Sequence, residues 1–170
     1  FSVLALSSFA APPPGKGGGE GGGEEPPPPP PELPDGLHVR YRVQFIPLTE
    51  DYVSANMQDV NDSHEAVGWF TQSTSEGSVN KGFYYNAATN EALSATDMLP
   101  SLTGSTQFVG INNLGWIVGS LADSSGLRTG ILIYPDSQST SGWSYEVVPG
   151  PADTFESYAR HINDYGDIVG

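Results

Sequence analysis

No cysteine occurs in the 170 residues. That excludes a disulfide framework and a zinc–thiolate site, and it leaves the redox compartment open. Basic residues are scarce: six Lys and Arg stand against twenty Asp and Glu, a formal charge of −14. This argues against a nucleic-acid partner, because the phosphate backbone is gripped by clustered Lys and Arg. No apolar run approaches the roughly 20 residues that cross a bilayer, so no membrane span is expected. No stretch carries a 3.6-residue hydrophobic period, which argues against helices. The Gly-x-Ser-x-Gly elbow, His-Glu-x-x-His, a phosphate loop and a dinucleotide fingerprint are all missing. His38, His64 and His161 lie far apart in the chain. No catalytic residue and no cofactor are therefore assigned.

Glycine and proline are plentiful instead, and they divide the chain. Residues 1–11 form an apolar run that ends in small residues, with Ser8 and Ala10 at the −3 and −1 positions of a cleavage site. The run reads as part of a secretory signal peptide, so an extracellular or cell-surface location is expected. Residues 12–37 are almost wholly Pro, Gly and Glu. Their composition suits a disordered spacer, with polyproline II in the proline run and flexibility in the glycines. Residues 38–170 are left to form a core. Their first segment, His38 to Ile46, alternates strictly, with Val39, Tyr41, Val43 and Phe45 on one face. It reads as a half-buried strand.

The organising feature of residues 38–170 is a nine-residue stretch. Ile111-Asn112-Asn113-Leu114-Gly115-Trp116-Ile117-Val118-Gly119 is echoed by residues 60–68 and by residues 162–170. Asn61, Asn112 and Asn163 are spaced by 51 residues each. A fixed period of this size marks a repeat architecture. Each copy opens on Asn, whose side chain bonds to backbone two residues on. Three positions later comes His64, Gly115 or Gly166, where a type I turn followed by a left-handed residue would close a hairpin. His is among the few non-glycine residues enriched in that region. Gly68, Gly119 and Gly170 end the copies, and a glycine within a strand marks a bulge or a close backbone approach.

Around these turns the pattern predicts four short strands per unit. In one unit they cover Ala55–Val60, Glu65–Phe70, Lys81–Tyr85 and Glu91–Leu99, with a loop over Thr71–Asn80. In the next they cover Thr106–Ile111, Trp116–Leu121, Arg128–Tyr134 and Trp143–Pro149. A third unit has a strand at Ser157–Ile162. The expected fold is all-β, in antiparallel four-stranded units of about 51 residues. Propellers close with about four to eight such blades. Some two and a half units are present, so a partial propeller-like array is expected, with exposed strand edges.

The units resemble the HAF repeats of secreted bacterial proteins. There an Ile-Asn-Asp-x-Gly-x-Val-Val-Gly element alternates with a short His-Ala-Phe strand. Residues 111–119 and 162–170 match the first element closely, and residues 60–68 more loosely. Lys81-Gly82-Phe83-Tyr84-Tyr85 and Thr129-Gly130-Ile131-Leu132-Ile133 stand where the second element would be. The resemblance implies an exported, propeller-like protein and carries no catalytic residues.

Two further groupings bear on function. Asp59, Asn61, Asp62 and Glu65 place four oxygen-bearing side chains in seven residues, a composition that calcium favours. The other copies put Gly110 and His161 at position 59, so the preferred reading is a turn with solvated acids. Trp69, Trp116, Trp143, Tyr84, Tyr85 and Tyr145 would stack on sugar rings if exposed together; packing between units is the preferred reading. The expected function is a non-enzymatic module that binds a surface ligand, with a glycan as the candidate. The alternative is a propeller-type enzyme acting on polysaccharide.

Overall fold

The computed structural model describes residues 3–6, 42–48, 52–75 and 77–170. The chain divides into two compact units, one of residues 3–44 and one built from residues 45–170. In the first, β1 (Val3–Leu6) and β2 (Arg42–Phe45) form a two-stranded sheet. The Pro/Gly/Glu segment 12–37 and residues 38–41 lie outside the described residues, so the strand expected from His38 is seen from Arg42 only. Its expected inward face needs correction at the end. Phe45 is 60% exposed and Ile46 is 5% exposed. The strand stops at Phe45, and the Leu48 N–H bonds to the Ile46 carbonyl at 2.9 Å. A turn this tight breaks the alternation.

The second unit is all-β and antiparallel. Strands β3 (Ser54–Val60), β4 (Glu65–Thr74), β5 (Gly77–Asn86) and β6 (Glu91–Ser94) form one sheet in that order. Strands β7 (Ser105–Ile111), β8 (Ile117–Ala122), β9 (Arg128–Pro135) and β10 (Trp143–Val148) form another with the same order. The short strands β11 (His161–Ile162) and β12 (Ile168–Val169) pair with each other. Among the described residues no helix is long and apolar enough to cross a membrane.

Three segments depart from the sequence pattern. Thr71–Asn80 is a paired hairpin arm, not a loop: Thr71 faces Asn80 and the ladder runs on to Thr74 and Gly77. Its residues are polar on both faces, so no hydrophobic alternation betrays it. Side chains pin it, with the Thr71 hydroxyl donating to Asn80 Oδ1 at 3.0 Å and the Thr74 hydroxyl to the Gly77 carbonyl at 3.0 Å. The strand expected over Glu91–Leu99 ends at Ser94, and one helical turn, α1 (Ala95–Met98), follows. Ser94 and Asp97 form its capping box, which satisfies free N–H groups at both ends of the exchange. Of the strand expected over Ser157–Ile162, only His161–Ile162 is extended and paired.

The core lies between the two four-stranded sheets. Val67 and Tyr84 from the first, with Met98, Leu99 and Leu102 from the segment that follows it, meet Phe108, Ile111, Ile117, Ile131 and Ile133 from the second. Cross-sheet contact is close at Gly82, where a Cβ would sit 2.6 Å from the Phe108 ring. Only a residue without a side chain admits that ring.

Candidate functional site: a column of stacked asparagine turns

The three hairpin tips between first and second strands have the same internal geometry. Asn61 Oδ1 accepts from the N–H groups of Ser63 and Glu65, both at 3.0 Å. Asn112 Oδ1 accepts from Leu114 at 3.0 Å and Trp116 at 2.9 Å. Asn163 Oδ1 accepts from Tyr165 at 3.0 Å and Asp167 at 2.9 Å. In each tip the Asn carbonyl also accepts from the residue three on: His64, Gly115 and Gly166, each at 3.1 Å. Those three residues have φ of 60°, 76° and 85°. Gly accepts this conformation freely and His does so under some strain.

The spare amides of Asn61 and Asn112 each link one tip to the next, whereas that of Asn163 donates to Asp167 in its own tip at 2.9 Å. Asn61 Nδ2 donates to the Asn112 carbonyl at 3.0 Å, and Asn112 Nδ2 donates to the Asn163 carbonyl at 3.0 Å. Alongside runs a second line of bonds. The Asp62 N–H donates to Asn113 Oδ1 at 2.9 Å and the Asn113 N–H to Asp164 Oδ1 at 2.8 Å. Asn113 Nδ2 reaches both neighbours, Asp62 at 2.9 Å and Asp164 at 3.0 Å. An amide between two carboxylates lets like charges share one column. Asn112 is 4% exposed at its centre, and a buried polar group of this kind needs every bond it has.

Two of the glycines that end the copies, Gly68 and Gly119, sit against a bulge. The β3–β4 register shifts between Met57 and Asp59, and the β7–β8 register shifts between Phe108 and Gly110. Gly68 and Gly119 lie opposite, where a Cβ would overlap the carbonyls of Asn56 and Gln107. A Cβ on Gly170 would overlap the carbonyl of Tyr158 in the same way. The extra residue of a bulge pushes the backbone toward its partner strand, which leaves no room for a side chain.

A further pair of residues was not singled out by the sequence pattern. Thr106 Oγ1 accepts from the Gly82 N–H at 2.8 Å, and Ser157 Oγ accepts from the Gly130 N–H at 3.0 Å. Each hydroxyl reaches from one stack to the third strand of the stack before it. The available signal was a hydroxyl residue recurring at 51 residues, six positions ahead of the repeated Asn.

The acids near the first tip are engaged with donors of the chain. Asp59 Oδ2 accepts from the Ile111 N–H at 3.0 Å and Oδ1 from the Val60 N–H at 2.9 Å. Glu65 takes the Tyr84 hydroxyl on one oxygen and Asn61 Nδ2 on the other, both at 2.7 Å. Burial and the Glu65 carboxylate push the Tyr84 hydroxyl well above the usual tyrosine range. Elsewhere the Ser125 hydroxyl holds Asp123 below the usual carboxylate range, and the Ser144 hydroxyl does the same for Asp136. Among the described residues no three His, Asp or Glu are grouped to hold a metal ion.

The aromatics are mostly engaged with one another. Tyr84 and Trp143 meet edge-on at 5.1 Å, and Trp116 and Tyr134 lie 6.5 Å apart. Tyr85 is fully buried, and Trp143 and Tyr145 pack on the inter-sheet core. His64 and His161 are exposed, and His38 lies outside the described residues. No protein-family model, curated protein or solved structure matches this chain.

Proposed function

We infer that residues 38–170 are a non-enzymatic β-repeat module of propeller type, exported from the cell, that binds a surface ligand. The observation that carries this reading is the use made of the repeated polar residues. Asn61, Asn112 and Asn163 satisfy their own tips, and the amides of Asn61 and Asn112 then donate across 51 residues to the neighbouring tip. Residues that recur with the repeat thus hold units in step, and what differs between units is left for recognition. The same tips, stacked side by side, suit blades arranged about an axis. A glycan array probed with the whole chain tests the reading. Binding without turnover of the bound sugar is expected. Release of product from any polysaccharide would overturn it in favour of a propeller-type enzyme. The module needs no calcium in this reading, so a chelator leaves its melting temperature unchanged.

A further inference from the structure

Two segments lead from the last strand of a sheet to the next stack, and they differ sharply. Residues 95–104 bury Ala95, Met98, Leu99 and Leu102 between the sheets. Residues 149–156, Pro-Gly-Pro-Ala-Asp-Thr-Phe-Glu, are exposed throughout. The one large apolar residue among them, Phe155, is 89% exposed. A cavity of about 560 Å³ lies between this segment, β9 and the β11–β12 pair. That volume falls within the roughly 300–1,000 Å³ typical of small-ligand pockets.

The lining is mixed in a specific way. Val148, Pro149 and Ile168 supply apolar wall, and Tyr158, Arg160 and Glu156 supply a ring and one charge of each sign. The Arg160 guanidinium lies 5.2 Å from the centre of the Tyr158 ring. Ser157 Oγ already accepts from the Gly130 N–H, and its own proton remains to donate. Glu156 accepts from the Arg128 N–H at 3.2 Å and has further lone pairs to offer.

We propose that this cavity is the ligand site of the module and takes a neutral saccharide. The proposal rests on the binding reading above and gives it a place. An anion would meet Glu156 and a chain of charge −14; a cation would meet Arg160. A purely apolar guest would strip water from Arg160, Glu156 and Ser157 and return no hydrogen bonds, at a cost in free energy. A sugar ring offers C–H faces to Tyr158 and the apolar wall. Its hydroxyls donate to Glu156 and accept from Arg160 and Ser157.

The test uses the whole chain and three neutral disaccharides as probes: maltose, cellobiose and lactose. Backbone amide resonances are followed during titration. Saturable shifts at Gly130, Ser157 and Arg160 are expected with at least one probe. Pro149→Met places a flexible side chain at the mouth of the cavity, and Tyr158→Ala removes the ring. Each is expected to weaken binding about tenfold, the scale of one lost aromatic contact. Phe155→Ala, which alters an outward side chain, is expected to bind as the parent does. If the array shows glycan binding while those three amides stay still, or while both weakening variants bind as the parent does, the cavity assignment is wrong and the module reading stands. If no saccharide binds in either assay, both are wrong.

Discussion

The side-chain amide of Asn112 donates to the main-chain carbonyl of Asn163, 51 residues further on, at 3.0 Å. The same side chain closes its own tip through two further bonds, so one buried amide serves two turns. Asn112→Ala would leave the Leu114 and Trp116 N–H groups without partners and take from the Asn163 carbonyl one of its two donors, the Gly166 N–H being the other. A loss on the order of 3 kcal/mol is expected, against under about 1 kcal/mol for Asn163→Ala at the exposed end of the column. Urea unfolding followed by tryptophan fluorescence measures both. Equal losses would contradict a central role for Asn112.

Two glycines separate close approach from backbone conformation. At Gly119 a Cβ would overlap the Gln107 carbonyl, whereas at Gly126, with φ of 87°, nothing lies nearby. Gly119→Ala is expected to cost about 2–3 kcal/mol, because two strands must part. Gly126→Ala is expected to cost about 1 kcal/mol, the usual penalty of a left-handed non-glycine residue. The ranking would be reversed if φ alone governed, and thermal unfolding of the two variants decides.

The first tip carries His64 at φ of 60° where the other tips carry glycine. His64→Gly relieves that conformation and gives back part of the gain through a more flexible unfolded chain. A net stabilisation of about 0.5–1 kcal/mol is expected from chemical denaturation. A destabilisation would show that the His64 side chain contributes contacts of its own.

Thr106 is 1% exposed and its hydroxyl accepts the Gly82 N–H. Thr106→Val keeps the shape and removes the acceptor, so a cost of about 1–3 kcal/mol is expected. Thr106→Ser keeps the acceptor and should lose less. Amide hydrogen exchange at Gly82 gives a second readout: it should quicken in the valine variant only.

Tyr84 titrates late because burial and the Glu65 carboxylate both oppose its anion. In the unfolded chain the proton leaves near pH 10; in the folded chain it leaves at higher pH. Its contribution to stability is therefore whole below about pH 10 and declines as pH rises beyond that point. Tyr84→Phe removes this decline, so its unfolding midpoint should fall less steeply than the parent's in the alkaline range. Parallel slopes would exclude the Tyr84–Glu65 pair as the cause.

Much of this architecture can be read from residue order, for identifiable reasons. Asn and Gly at fixed intervals dictate reversals whatever surrounds them, so the tips and the strands beside them are legible. So is the all-β antiparallel class, since short apolar segments such as Thr106–Ile111 and Arg128–Tyr134 lie between recurrent turns and carry no helical period. The polar arm at Thr71–Asn80 is not legible, because its strands bury nothing on either face and are held by cross-strand bonds. The turn at Ala95–Met98 is too short to display a period and depends on one Ser–Asp exchange. Neither the hydroxyls of Thr106 and Ser157 nor the cavity beside Tyr158 announce themselves. Both depend on which residues meet across 24 or more positions, a matter of packing between sheets.

The longer arm of β4 and β5 also shifts the third strands relative to the tips. Gly82 and Gly130 fill the same place in successive sheets yet lie only 48 residues apart, and the missing three are restored before Ser157. Growth or shrinkage at the end of the arm is thus absorbed locally. The gap between Thr74 and Gly77, whose flanks are exposed, is a natural splice point. A foreign epitope grafted there would be presented to solvent while the asparagine column keeps its alignment.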